Sequence, residues 1–83
     1  MKEEVWFEGD RLARYSLVYI NSRVYGGDDG RVLAYDNAHG LHHRHFMGKV
    51  QNFEFRSYEE LVSRFEDEVR ELWRLEDEQK SKS

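Results

Sequence analysis

Ser57–Trp73, SYEELVSRFEDEVRELW, places Tyr58, Leu61, Val62, Phe65, Val69, Leu72 and Trp73 at i, i+3, i+4, i+7 spacing, the period of a helix that buries one face. Ser57, with Glu60 after it, makes a capping box that starts the helix. Glu60 with Arg64, Glu66 with Arg70 and Glu76 with Lys80 are candidate supporting pairs one turn apart. An apolar stripe about 100° wide must lie on another layer, and the residues upstream supply strands. The expected fold is therefore α+β: a small antiparallel sheet of about four strands over residues 1–56, and one C-terminal amphipathic helix, 57–78, packed on one face. Leu61, Phe65, Val69 and Leu72 are the expected buried residues, and 79–83 is a polar tail expected to fray.

Working back from the helix, KVQNFEF (49–55) sets Phe53 and Phe55 on one side and Val50 and Asn52 on the other, a strand pattern. Arg31–Asp36 reads as another strand. Gly26-Gly27-Asp28-Asp29-Gly30 before it is turn chemistry, with glycines for positive φ and aspartates that bond their own backbone. Between Leu12 and Tyr25, apolar residues occupy both alternating sets, Ala13, Tyr15, Leu17, Tyr19 and Val18, Ile20, so this strand is expected at the sheet's centre. Glu3–Glu8, dense in Val5, Trp6 and Phe7 and followed by Gly9-Asp10, is the first strand. The aromatic set exceeds what one helix stripe covers, which leaves part of it for a nucleic-acid base or for a partner subunit in a homodimer.

The chain of 83 residues is of single-domain size. Without cysteine it has no disulfide framework, thiol nucleophile or cysteine zinc site. MKEEVWFEGD lacks the apolar run of a signal peptide, and no segment approaches the roughly 20 apolar residues that cross a bilayer, so the reading is a cytoplasmic protein with no membrane partner.

One stretch is chemically distinct. YDNAHGLHHRHFMGK (35–49) holds all 4 histidines, His39, His42, His43 and His45, and is read as a loop over 36–49 that opens at a strand end. No acidic residue occurs from Asn37 to Phe53, while Arg44 and Lys49 add fixed positive charge to a chain of net charge -4. A locally cationic stretch on an acidic protein suits a polyanion such as RNA. Imidazole titrates near neutrality, and if His43 and His45 leave the loop in an extended segment, where i and i+2 side chains share a face, the two rings can serve as proton acceptor and donor around one phosphodiester. The RNA 2′-hydroxyl would be the nucleophile, and Arg44 or Lys49 would stabilise the phosphorane, with no metal required. The candidate catalytic residues are Asp36, His39, His42, His43 and His45; Tyr35, Asn37, Arg44 and Lys49 are the candidate substrate-binding residues. Two alternatives stay open. Asp36, His43 and His45 could hold a divalent metal for a metal-dependent nuclease, or the same face could bind nucleic acid or a protein without catalysis.

The segment RVLAYDNAHGLHHRHFMG (31–48) resembles the TumE-like toxins of prokaryotic toxin–antitoxin pairs, with Tyr35, Asp36, Asn37, His39, His42, His43 and His45 matching the family pattern. The likeness extends to a strand-rich N-terminal half and a C-terminal helix opened by Phe55-Arg56-Ser57. It implies a cytoplasmic toxin acting on RNA or translation, held in check by a helix-turn-helix DNA-binding antitoxin.

Overall fold

The computed structural model describes residues 1–81, without the side chains of His39, Gln79, Lys80 and Ser81. Five strands form one antiparallel sheet in sequence order: β1 Lys2–Glu8, β2 Arg11–Ile20, β3 Arg31–Asp36, β4 His43–Phe46 and β5 Lys49–Asn52. The helix α1 runs Tyr58–Ser81. The α+β class and the single helix packed on one face are as expected.

The extra strand lies inside the stretch read as a loop. Met47 and Gly48 have φ of 47° and 83°, so they form a two-residue hairpin turn whose twist matches the strands it joins. Glycine adopts that geometry freely and methionine does not, which is why the pair carries no strong turn signature in sequence. The turn makes β4 and β5 a hairpin and ends the latter at Asn52, so Phe53 and Phe55 follow the strand instead of extending it.

The central strand is β3, not the stretch from Leu12. Val32, Leu33, Ala34 and Tyr35 are all buried, because β3 is flanked by strands on both edges and the helix covers the face that carries Leu33 and Tyr35. Chain pairing in β2 stops at Ile20 because the Asn21 carbonyl turns to accept the N–H groups of Val24 and Tyr25. The connection to β3 closes at Gly30, where φ is +81° and an added Cβ would lie 3.3 Å from the Ile20 side chain.

One sheet face carries Tyr15, Leu17 and Tyr19 of β2, with Tyr35 and Leu33 opposite Leu17 and Tyr19, and Arg44 and Phe46 opposite those in turn. The helix seals this face. Leu61, Phe65 and Val69 are buried against it, with edge-on ring contacts from Phe65 to Tyr35 and from Trp73 to Tyr19. Leu72 is only partly buried at the margin of the same core. Ser57 Oγ accepts the Glu60 N–H at 3.1 Å, the expected cap.

The helix surface pairs differently from expectation: Arg64 reaches Glu68 at 3.3 Å, Arg70 reaches Asp67 at 2.8 Å, and Arg74 engages Glu71 and Glu78. The helix passes the expected limit at 78. Residues 82–83 of the expected tail, and the Lys80 side chain expected opposite Glu76, lie outside what the structure describes.

Candidate functional site

Antiparallel pairing puts directly opposed side chains on the same face of a sheet. On the face away from α1, the register aligns Glu4, Ser16, Asp36, His43 and Asn52 in one row across all five strands. The adjacent row is Lys2, Val18, Ala34, His45 and Val50. Asp36 therefore sits at the strand end beside two imidazoles, one opposite it and one diagonal.

The distances follow from that placement. Asp36 Oδ2 lies 3.1 Å from Nε2 of His45, and its Oδ1 lies 3.7 Å from Nδ1 of His43. The two imidazole centroids are 6.2 Å apart. Asp36 Oδ1 also accepts the Ala38 N–H at 3.2 Å, which fixes the carboxylate against the start of the next turn. With the carboxylate ionised, His45 Nε2–H donates to it and Nδ1 is left as the basic nitrogen of that ring. The Asp36, His43 and His45 side chains keep 22%, 22% and 19% of their surface exposed, enough for a substrate atom to reach them.

His42 does something else. Its ring stacks on Phe55 at 4.5 Å and on Tyr15 at 5.7 Å, with Phe53 edge-on at 5.8 Å. Nδ1 meets the Tyr15 hydroxyl at 2.7 Å. Burial, with the nearby His43 adding to it, pulls the His42 pKa below the ordinary imidazole value, because a charged ring is poorly solvated among aromatics. Burial, then Asp36 and Tyr35, pushes the Tyr15 phenol well above its ordinary value. The phenol stays protonated and the ring neutral, so the pair works as a packed polar contact.

Asn37 acts on backbone. Its Oδ1 accepts the Tyr15 N–H at 3.0 Å and its Nδ2 donates to the Ala13 carbonyl at 3.2 Å. The side chain thus continues the pairing of β2 past the end of β3. Tyr35 is fully buried on the helix face, where its hydroxyl donates to Glu68 and accepts from Arg44 Nε at 3.1 Å. Burial first, and then the Glu68 hydrogen bond and charge, push the Tyr35 phenol up to about 12 against the opposing effect of Arg44 and Arg64.

Arg44 alternates with His43 and His45 along β4, so it points to the opposite face. There it pairs with Glu68 and lies over the Phe46 ring at 5.1 Å. Arg44, expected at the phosphate, is turned away from the two imidazoles. Lys49, opposite Phe46, falls on the helix-side row as well, exposed on the edge strand.

Of the expected site residues, the fold thus brings together Asp36, His43 and His45, and sends His42, Asn37, Tyr35, Arg44 and Lys49 elsewhere. The His39 side chain lies outside what the structure describes. Among the described residues, no group of three or more His, Cys, Asp and Glu side chains is arranged to hold a metal ion.

Sequence reasoning missed Ser16 and Asn52, which flank the site in its row, and Glu68. The last did leave a signal: it falls with Leu61, Phe65 and Leu72 on the helix's apolar stripe, and a carboxylate at such a position needs a cationic partner.

A five-stranded antiparallel sheet with one covering helix, and a carboxylate between two partly exposed imidazoles on its uncovered face, define a small α+β protein with a polar site on its open face. The model of the family Toxin TumE matches residues 2–73. The chain belongs to the TumE toxin family, and membership implies a toxin of a toxin–antitoxin system with an antitoxin as its partner. Neither the search of curated proteins nor that of solved structures finds a match. No helix among the described residues is long and apolar enough to cross a membrane.

Proposed function

We propose that this toxin is a metal-independent endoribonuclease that acts through His43 and His45 on the uncovered sheet face. The observation that supports it is Asp36 set between two partly exposed imidazoles whose centroids are 6.2 Å apart. One neutral ring takes the proton of the RNA 2′-hydroxyl, whose oxygen attacks the adjacent phosphorus. The other ring, protonated, gives its proton to the departing 5′ oxygen. The products are a 2′,3′-cyclic phosphate and a 5′-hydroxyl. Asp36 is the positioning residue, holding His45 in one tautomer as the general base. With Arg44 on the other face, charge on the phosphorane is met by the imidazolium itself.

A substrate of this kind puts the toxin's action in the cytoplasm. The resemblance in the histidine segment supports a helix-turn-helix DNA-binding protein as the antitoxin. Purified protein incubated with single-stranded RNA in excess chelator should give fragments ending in cyclic phosphate, and His43→Ala with His45→Ala should abolish them. Cleavage that disappears on adding chelator would favour the divalent-metal reading. RNA that is bound but intact at high protein concentration would leave a non-catalytic binding module.

A further inference from the structure

Among the described residues, no further strand pairs with either edge of the sheet, and the two edges differ. The β5 edge is four residues long and starts with a lysine, a short charged strand of the kind that discourages further pairing. The β1 edge is seven residues long and free of proline, and leaves Val5, Trp6 and Phe7 exposed by 36%, 45% and 56%. The irregularity between β1 and β2 places Trp6 opposite Arg14 and Phe7 opposite Leu12. The unpaired residue, Ala13, therefore belongs to β2, and β1 itself keeps an unbroken alternation. A long, regular edge with an exposed apolar centre, flanked by charged ends that an oppositely charged strand can match, is a template for one more strand.

We propose that two copies of this chain pair antiparallel through β1, with Val5 on the twofold axis, to make one continuous sheet with both helices on the same side. The charge pattern of the strand selects the partner and the register. With Val5 opposite Val5, Lys2 of each copy faces Glu8 of the other, Glu3 faces Phe7 and Glu4 faces Trp6. All seven strand residues are paired and no like charges meet.

The neighbouring registers that keep the two open faces aligned fail. Centring on Glu4 opposes two glutamates, and centring on Trp6 sets Glu4 against Glu8 on both sides of the axis. Like charges directly opposed destabilise a strand pair. Within one copy Lys2 reaches Glu4 at 2.6 Å, a solvent-exposed contact that gives way readily. The pairing also covers Trp6 and Phe7, which α1 leaves open.

Sedimentation equilibrium over a concentration series should show a monomer–dimer equilibrium for the full chain. Lys2→Glu and Glu8→Lys, both at exposed positions, should each weaken dimerisation by about tenfold, since either places like charges at both ends of the interface. The double variant K2E/E8K restores opposite charges and should return the dissociation constant to near wild type, although it does not restore the Lys2–Glu4 contact. Circular dichroism confirms that each variant is folded. A wild-type chain that stays monomeric throughout the series, or a double variant that dimerises no better than the single ones, overturns the proposal.

Discussion

The Tyr15 hydroxyl lies 2.7 Å from Nδ1 of His42, inside a stack formed by Tyr15, His42 and Phe55. Because burial lowers the pKa of His42 from its ordinary 6.5, the folded protein binds fewer protons there than the unfolded chain does. Its contribution to stability is complete above pH 6.5 and is lost as the pH falls towards the folded value. The thermal midpoint should drop between about pH 7 and about pH 5, and His42→Gln should reduce that drop. Equal pH slopes in the two proteins would show that His42 is not the group responsible.

Arg44 and the histidines beside it in sequence should separate by assay. Arg44→Ala leaves the partly buried Glu68 with Arg64 and the Tyr35 hydroxyl alone, at a cost of about 1.5–3 kcal/mol for a lost charge-assisted hydrogen bond. Cleavage per folded molecule should not change. His43→Ala with His45→Ala should abolish cleavage while shifting stability little. If Arg44→Ala instead removed cleavage at unchanged stability, the guanidinium would belong to the active face after all.

Asn37→Ala removes the acceptor for the Tyr15 N–H and the donor to the Ala13 carbonyl. An unpartnered amide beside the fully buried Tyr15 should cost about 1–3 kcal/mol, and hydrogen exchange at that amide should speed up. Asn37→Asp keeps the acceptor and should cost less; the order of the two variants in urea midpoints checks the assignment.

Phe65 is fully buried between α1 and the sheet, edge-on to Tyr35. Phe65→Ala should cost about 3–5 kcal/mol, the range for emptying an aromatic site in a core. Chemical denaturation measures this directly, and a loss under about 1 kcal/mol would mean that the helix does not rest where the structure puts it.

Helical period, the Ser57 cap and the presence of strands at β1, β2 and β3 were all readable along the chain, since each depends on neighbours within a turn or two. So were the α+β class and the side of the helix that is buried. The family pattern was readable too, because it is a short run of residues in fixed order, and it proved to cover most of the chain. The Met47-Gly48 turn was not: its signal is a backbone angle at a methionine, imposed by the two strands that it joins. With that turn unseen, the stretch that holds β4 was read as part of a loop, with an extended segment only at His43 and His45.

The division of the histidine stretch followed from the same fact. Seven adjacent residues, 39–45, look like one cluster in sequence, but a strand sends alternate side chains to opposite faces. Register with β3 set His43 and His45 beside Asp36, and turned Arg44 toward a helix residue 24 positions away. His42, one residue before the strand, fell among aromatic rings contributed by β2 and by the segment that leads into α1. Sequence determined which chemical groups were present and the periods that built the elements. Only the packing of distant strands and the helix decided which groups share a face, because cross-strand register depends on long-range contacts that no local pattern encodes.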